Sequence, residues 1–160
     1  MLQGETEKMV YLVVRIKGTV NIPAWAKTTL ANLNLEKKFR ATLVPENFET
    51  LGMLRKVKDI VAWTPVDEGF IKDLLERRGK ISGYKPLTKG NLPTGFESIE
   101  ELAAAIAQNK TTMSKLRNIK PWFALAPPKG GFKQKTKKQF SQDGVLGQNQ
   151  GLVHLVKNML

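Results

Sequence analysis

The sequence predicts an α+β protein in which a small β-α-β-α-β core is followed by a helical extension and an extended basic arm. Three observations lead to this prediction. Residues 9–66 contain three short, apolar, β-rich runs that alternate with two helical patterns. Residues 67–126 contain further capped helical patterns, and residues 127–151 are dominated by Pro, Gly, Gln and Lys. Two αβ steps this short favour a small sheet with both helices on one face.

The first strand is predicted over residues 9–16, a Val-rich run that is too short for an average helix. Side chains alternate along a strand, so one face of this strand carries Val10, Leu12, Val14 and Ile16. The opposite face, which carries Met9, Tyr11, Val13 and Arg15, is also mostly apolar. A half-exposed strand would alternate more cleanly, so the pattern indicates a central strand that is covered on both sides.

A helix and a second strand are predicted next. Pro23 suits the first turn of a helix because its missing N–H would be unpaired there in any case. An apolar stripe at positions i, i+4 and i+7 then continues the helix through Ala26, Leu30 and Leu33. The second strand is predicted over residues 39–44, and it stops at Pro45.

The second helix of the core is predicted to begin with either Asn47 or Thr50 as its N-cap. In this helix Leu54 and Val57 face inward, while basic side chains face outward. The third strand is predicted over residues 60–64, ended by Pro65. These elements define the first of three predicted parts, a core that comprises residues 1–66.

The second part, residues 67–126, is predicted to be a helical extension. Asp67 caps a helix that stops at Gly79, and the spacing of Ser98 and Glu101 is that of a capping box at the start of an alanine-rich helix. Residues 79–95, between these helices, are rich in Gly and Pro and predict a surface loop. The third part, residues 127–160, is predicted to be an extended basic arm that ends in a short amphipathic segment.

The charge of the chain indicates its class of partner. Twenty-six Lys and Arg residues against fourteen Asp and Glu residues give a net charge of +12, and residues 110–140 hold nine basic side chains and no acidic one. Such an excess attracts polyanions, of which nucleic acid is the first to consider. RNA is favoured over DNA because the sequence has no helix-turn-helix, zinc or heptad pattern that would read a major groove.

The sequence lacks the residues that most catalytic and metal sites require. It has no cysteine and one histidine, His154, so thiolate sites and sites built on a pair of histidines are excluded. The glycines follow no nucleotide-binding pattern, and no two carboxylates are placed as an acid–base pair. We therefore predict a protein that is not an enzyme and that uses no metal, cofactor or small-molecule substrate. Its apolar runs are too short to span a bilayer, which predicts a cytoplasmic protein with no membrane partner.

Three basic segments are candidate RNA-binding sites. The arm combines lysines that can follow phosphates with a glycine pair and an aromatic ring, and its candidate residues are Lys129, Gly130, Gly131, Phe132, Lys133, Lys135, Lys137 and Lys138. The other two segments are the outward face of the second helix, with Arg55, Lys56 and Lys58, and a basic corner before the second strand, with Lys37, Lys38 and Arg40. Each segment also has a plainer interpretation, as a solvated tail or a solvated helix face.

The remaining aromatic side chains and the histidine are interpreted as structural. Trp25, Trp63 and Trp122 are predicted to pack in or beside the core rather than to stack on bases, because tryptophan offers a large apolar area for burial. His154 lies between Val153 and Leu155 in an apolar helical pattern and is predicted to have a packing role.

Several runs of the sequence closely resemble the large-subunit ribosomal protein L-thirty family, namely VVRIKGTVNIPAWAKTTLANLNL, KKFRATLVPEN and LGMLRKVKDIVAW. The longer second half, with KPWFALAPPKGGFKQKTKKQFSQDGVLG, looks like the archaeal form of that family, which is related to the eukaryotic large-subunit protein numbered seven. The resemblance covers nearly the whole chain and is most specific in the GMLRKV and FALAPPKGGF segments.

This resemblance implies a fold and a role. It implies two helices on a three-stranded antiparallel sheet, and a structural role in binding large-subunit (23S-type) rRNA, with 5S rRNA and neighbouring ribosomal proteins as further partners. In the family motif a stretch of the second helix that contains a glycine and basic residues faces rRNA, and the positions of this stretch here are Gly52, Met53, Arg55 and Lys56. Two alternatives stay open at this point: an RNA-processing enzyme, and a non-ribosomal RNA-binding regulator or RNA chaperone.

Overall fold

The computed structural model describes residues 10–18, 22–81, 85–88, 90, 92, 95–116 and 119–160. Its helices and strands follow in the order β1 (Val10–Arg15), α1 (Ala24–Asn32), β2 (Arg40–Pro45), α2 (Phe48–Lys56), β3 (Val61–Val66), α3 (Glu68–Arg78), α4 (Ile99–Ala107), β4 (Phe123–Ala124), β5 (Lys135–Gln139), β6 (Gly144–Gln148) and α5 (Leu152–Lys157). The predicted α+β class and the β-α-β-α-β order of the first part are confirmed.

The strands form one six-stranded sheet in the order β4-β2-β1-β3-β6-β5. At its centre β1 is antiparallel to both β2 and β3, with Leu12 opposite Leu43 on one side and Thr64 on the other. This confirms the predicted central strand and the three-stranded antiparallel core. The sheet is wider than predicted, because β4 extends it beyond β2 and the pair β6 and β5 extends it beyond β3.

Both faces of the central sheet are covered, as the two apolar faces of β1 require. On one face Tyr11 and Val13 pack with α1 and α2, in a cluster that includes Leu30 and Leu54. On the opposite face Leu12 and Val14 belong to a larger cluster with side chains of α3, α4 and α5: Phe70, Ile71, Leu74, Leu102, Ile106, Leu152 and Val156. The larger cluster thus joins residues of all three predicted parts of the chain.

Side-chain caps begin three of the helices. Asn47, not Thr50, caps α2, because its side-chain oxygen accepts a hydrogen bond from the N–H of Thr50 at 2.8 Å. Asp67 caps α3 as predicted, accepting from the N–H of Phe70. Ser98 caps α4, but the carboxylate of Glu101 accepts from the N–H of Glu97 rather than from that of Ser98, so half of the predicted capping box is present.

Pro65 does not end the third strand, as the sequence suggested. The strand continues to Val66, with Pro65 opposite Tyr11 of β1. The neighbour on the other side, β6, pairs with β3 at Ala62 and Trp63. At Pro65 that side of β3 is therefore an edge, where a residue without an N–H need not break a ladder bond.

The short amphipathic segment predicted at the end of residues 127–160 is helix α5, but the prediction of an extended arm is wrong for the residues just before it. Residues 144–148 form β6 beside β3, and Val145, Leu146, Leu152 and Val156 are buried. Asn149 fixes the turn that follows: its buried side chain donates to the carbonyl of Val145, and its backbone N–H donates to the carbonyl of Trp63. These few apolar side chains could not form a core alone, but they complete one that the first two parts already provide.

The loop predicted over residues 79–95 is described only in part, since residues 82–84, 89, 91, 93 and 94 lie outside the described residues. Within the described part, Lys80 forms an isolated β-bridge with Pro86, and Leu87 is buried in the larger cluster. This segment is therefore anchored to the core and does not run wholly over the surface. The predicted start of β1 at Met9 likewise lies outside the described residues.

Candidate nucleic-acid interface

The topology gathers distant basic segments at one end of the sheet. Because β1 is antiparallel to its neighbours, it finishes where β2 and β3 begin, with Val14 opposite Ala41 and Arg15 opposite Val61. The segments after β1, before β2 and before β3 therefore lie at this end. They carry Lys17, Lys37, Lys38, Arg40, Lys56 and Lys58. We call it the basic end.

The basic corner before β2 is a tight turn that is tied to the central strand. Phe39 has a left-handed backbone (φ 63°), and its N–H donates to the carbonyl of Arg15 at 2.8 Å. Lys37 and Lys38 are exposed, with the Lys38 ammonium 4.9 Å from the centroid of the Phe39 ring. Arg40 is half-buried, and its guanidinium lies 3.7 Å from the centroid of a Trp122 ring. Two of the three predicted cations, Lys38 and Arg40, thus lie over aromatic rings, while Lys37 is exposed without such a contact among the described residues.

The glycine turn of the arm packs against this corner. The rings of Phe132 and Phe39 are stacked, with centroids 6.0 Å apart and an interplanar angle of 29°. Gly130 and Gly131 both have positive φ, and the N–H of Lys129 donates to the carbonyl of Asn158 beyond α5. The stacked rings therefore bring the glycine turn, which is flanked by the exposed Lys129 and Lys133, against the basic corner. One face of Phe132 is occupied by Phe39, so its predicted role in base stacking is at most partial.

The strand that continues the arm is fastened to the end of α2. The side-chain amide of Gln139 donates to the carbonyl of Lys58 at 2.9 Å and to the carboxylate of Asp59 at 3.1 Å. This contact sets β5 next to the segment that leads into β3. The lysines of β5 are exposed there: Lys135, Lys137 and Lys138. The structure thus unites all three basic segments that the sequence suggested separately.

Helix α2 has the inward and outward faces that its sequence predicts. Leu54 and Val57 are fully buried against α1 and the sheet, whereas Arg55, Lys56 and Lys58 are exposed. Gly52 is also exposed, and a Cβ added to it would contact nothing within 4 Å. The missing side chain therefore opens the helix backbone to close approach from outside. Met53 differs from these residues, since it is half-buried and packs against the cluster under α1 and α2.

A buried arginine that the sequence did not single out braces the basic end from inside. Arg15 is 2% exposed, and its guanidinium donates to three carbonyl oxygens, those of Lys17 (3.0 Å), Gly18 (3.1 Å) and Leu35 (2.8 Å). Burial lowers the pKa of Arg15 from its ordinary value. A lone arginine in an otherwise apolar strand was the signal in the sequence. Its bonds fix the two loops between which the cations project.

The cations of the basic end have no carboxylate partners among the described residues, in contrast to the extension. There, Lys72 of α3 forms ion pairs with Glu100 at 3.1 Å and Glu76 at 3.9 Å, and the hydrogen bond and charge of Glu100 raise its pKa. At the opposite end of β1, burial and the nearby carboxylate of Glu46 raise the pKa of Tyr11. The carboxylate of Asp59 is close to the basic end, but it accepts a hydrogen bond from the amide of Gln139 and forms no ion pair with the described cations, so their positive charge remains available to a polyanion.

The three tryptophans have different environments. Trp63 is 7% exposed in β3, as predicted, and Trp122 is half-buried beneath Arg40. The prediction for Trp25 is wrong, because this side chain, in the first turn of α1, is 57% exposed. The apolar stripe of α1 consists of Ala26, Leu30 and Leu33, and position 25 falls beside it. His154 is exposed on α5, whereas Leu152 and Val156 of that helix are buried.

Other kinds of site find no support in the described ranges. In that part of the chain no three His, Asp or Glu side chains are grouped as a metal site requires. No helix there has the length and apolar character needed to cross a membrane. The described structure thus defines an α+β protein whose main surface feature is one cationic end.

Comparison with known proteins places this architecture in a family. Residues 11–61, which run from β1 to the start of β3, match the family described as ribosomal protein L30p/L7e. Three similar proteins bear the name large ribosomal subunit protein uL30. The protein of Cenarchaeum symbiosum is 53% identical over 151 residues, covering 94% of this chain and 97% of the relative. That of Nitrosopumilus maritimus is 47% identical, covering 93% and 97%, and that of Staphylothermus marinus is 37% identical, covering 94% and 98%.

This chain belongs to the L30p/L7e family of ribosomal proteins. The resemblance read from the sequence is confirmed, and it extends beyond the shared core through the second half of the chain. These three relatives are archaeal, in agreement with the archaeal form that the sequence suggested.

Proposed function

We propose that this chain is a structural constituent of the large ribosomal subunit that binds large-subunit (23S-type) rRNA through its basic end. Its similarity over nearly full length to proteins named for that subunit supports this role. The role places the protein in the cytoplasm, within the ribosome. A free RNA-binding regulator or RNA chaperone would suit the charge equally well, but the full-length similarity favours the ribosomal constituent.

One observation carries the proposal: basic segments far apart in sequence meet at one end of the sheet, and among the described residues none of their cations forms an ion pair with a carboxylate. Lysines and arginines placed in this way replace the counterions that surround RNA phosphates, and the released counterions drive binding. The proposed contact residues are Lys37, Lys38, Arg40, Gly52, Met53, Arg55, Lys56, Lys58, Lys129, Gly130, Gly131, Phe132, Lys133, Lys135, Lys137 and Lys138.

The parts of this surface have different tasks. The outward face of α2 presents Arg55 and Lys56 beside the bare backbone at Gly52, so an rRNA strand can approach the helix closely there. The lysines of β5 extend the same surface past the edge of the core. Arg15 makes no direct contact but keeps the loops of the basic end in place.

The role is structural rather than catalytic. The described residues contain no group of three or more His, Asp or Glu side chains that could hold a metal ion, and the side chains gathered at the basic end are mainly lysines and arginines. Neighbouring ribosomal proteins and 5S rRNA are further partners in this proposal. The exposed surfaces away from the basic end, including Phe48 at the start of α2, are available to such neighbours.

The proposal is tested by a pair of double variants that change the charge equally at different places. Arg55→Gln with Lys56→Gln removes two cations from the basic end, and Arg77→Gln with Lys110→Gln removes two exposed cations from the extension. Binding of the full chain to a large-subunit rRNA fragment is measured across a salt series. We expect the first pair to weaken binding and to make the negative slope of log affinity against log salt shallower by roughly 1.5. Equal effects of the two pairs would show that net charge, not the basic end, governs binding.

A further inference from the structure

A groove at the basic end is built around Trp25 and draws on four separate segments. It has a volume of about 500 Å³, and it is lined by Lys17, Ile22, Pro23, Trp25, Lys56, Asp59, Ile60 and Lys137. Lys17 follows β1, Trp25 begins α1, Lys56 ends α2, and Lys137 belongs to β5. The groove therefore exists only in the folded chain, where the arm has returned to the core.

The indole of Trp25, which lines this groove, is largely exposed to solvent. Trp25 is 57% exposed, and no aromatic ring or cation of the described residues stacks on it. Burying so large an apolar side chain would stabilise a fold, so an exposed one beside a core is a departure from the usual placement of tryptophan. A flat aromatic face open to solvent is the feature that single-stranded nucleic acid uses for stacking its bases.

The charges around the indole select the class of ligand. Three ammonium groups line the groove, those of Lys17, Lys56 and Lys137. The one acidic side chain in the lining, Asp59, already accepts a hydrogen bond from the amide of Gln139. The net positive charge of the lining thus favours an anionic ligand, and the indole favours one that also has a flat ring. The apolar side chains of Ile22, Pro23 and Ile60 suit the edge of such a ring.

We propose that this groove binds an unpaired nucleotide of RNA, with its base stacked on the indole of Trp25 and its flanking phosphates on Lys17, Lys56 and Lys137. The assignment rests on the proposed function, because it names one nucleotide subsite within the larger rRNA surface. An acidic segment of a protein partner could pair with the lysines but would leave the indole face without a matching ring. Lys56 and Lys137 also belong to the α2 face and the arm, so the groove is continuous with the proposed rRNA surface.

The test measures binding of the full chain to a short oligoadenylate and to an abasic ribose-phosphate oligomer of the same length and charge. Trp25→Ala should weaken oligoadenylate binding by about 5- to 150-fold, the range for loss of one base–aromatic stack. Trp25→Phe should retain most of the affinity because it keeps an aromatic face. Phe48→Ala is the matched control, since Phe48 is 95% exposed but lies at the far end of α2, and it should change nothing.

Two further readouts make the assignment specific to the base. The abasic oligomer should bind wild type and Trp25→Ala equally, because both retain the lysines. Oligoadenylate should also quench the tryptophan fluorescence of wild type, and Trp25→Phe should lose that quenching. Equal binding of oligoadenylate by wild type and Trp25→Ala would overturn the proposal, as would a Trp25→Ala effect of the same size on the abasic oligomer. Stronger binding and quenching by polyglutamate than by oligoadenylate would overturn it in favour of an acidic protein segment.

Failure of this inference is distinguishable from failure of the proposed function. The large-subunit rRNA fragment makes many phosphate contacts, so Trp25→Ala should still bind it with the salt slope of wild type. If wild type binds the fragment but Trp25→Ala binds oligoadenylate as well as wild type does, only the nucleotide subsite is disproved. If wild type does not bind the fragment, the proposed function itself fails.

Discussion

Strands β6 and β5 are neighbours in the same sheet and are separated in sequence only by residues 140–143, yet they are built from opposite chemistry. In β6, Val145 and Leu146 are buried, and the strand pairs directly with β3. In β5 the lysines are exposed, no side chain is fully buried, and pairing with β6 is irregular between Lys135 and Gln139. One strand is placed by burial, whereas the other is placed by backbone pairing and one side-chain amide.

This contrast shows how the chain separates stability from binding. The apolar side chains of β6 contribute to the core, so their loss affects folding. The lysines of β5 contribute little to the fold, because surface charges without partners stabilise weakly. They are therefore free to serve a polyanion, and β6 acts as the anchor that holds them at the basic end.

The largest effect should follow from breaking the anchor. Leu146 is 1% exposed and belongs to the larger cluster of buried side chains. Leu146→Ala should therefore lower the free energy of unfolding by about 2–5 kcal/mol through lost burial and the cavity left behind. Lys137→Ala in β5 is the matched change on the other strand and should alter stability by less than about 0.5 kcal/mol. Urea unfolding followed by circular dichroism measures both free energies of unfolding. A similar decrease in the two variants would contradict the claim that β6 stabilises the fold and the lysines of β5 do not.

A smaller effect should follow from separating the two strands. Gly144 lies against the backbone of Lys138, and a Cβ there would collide with the Lys138 carbonyl. Gly144→Ala should therefore displace β5 and cost about 1–3 kcal/mol. Hydrogen exchange should show lost protection in residues 135–139, with protection in residues 10–15 unchanged. Gly90→Ala, at a glycine with open space around it, is the control, and unaltered protection of β5 in Gly144→Ala would contradict this account of the pairing.

A change in stability smaller than that of Gly144→Ala, and of the opposite sign, should come from Gly52. Alanine is favoured over glycine inside a helix, so Gly52→Ala should stabilise the fold by about 0.5–1 kcal/mol, since a Cβ meets no atom there. If rRNA approaches the bare backbone of α2, the same variant should bind rRNA more weakly than wild type. Thermal unfolding and rRNA binding measured together decide this, and a variant that is more stable and binds as well as wild type would remove Gly52 from the interface.

The sequence predicted the parts of the fold that depend on local patterns. The two apolar faces of β1 showed that it is central, and Asp67 and Ser98 marked the starts of α3 and α4 because a cap acts within one turn. Strand β6 was missed because its place depends on Trp63 and the helices that cover the sheet, which are distant in sequence. A Gly- and Gln-rich run with two buried apolar residues has no strong pattern of its own.

The candidate site was predicted as three separate segments, and their convergence was not. The meeting of β5 with α2 rests on the amide of Gln139, a single polar contact that composition cannot reveal. Trp25 was predicted to pack in or beside the core because tryptophan usually does, and its exposure follows from its position beside the apolar stripe of α1. Arg15 was missed as a brace because its three carbonyl partners come from loops on both sides of α1.

The salt dependence of rRNA binding by a five-lysine variant tests the central claim most directly. Lys129, Lys133, Lys135, Lys137 and Lys138 are all replaced by Gln, and the full chain is titrated with a large-subunit rRNA fragment across a salt series. Each lysine that neutralises a phosphate contributes roughly −0.7 to −0.9 to the slope of log affinity against log salt, so three or more contacts should flatten it by about 2 or more. Circular dichroism should show an intact fold. An unchanged slope with an intact fold would contradict the account, because the lysines anchored by β6 would then have no part in binding.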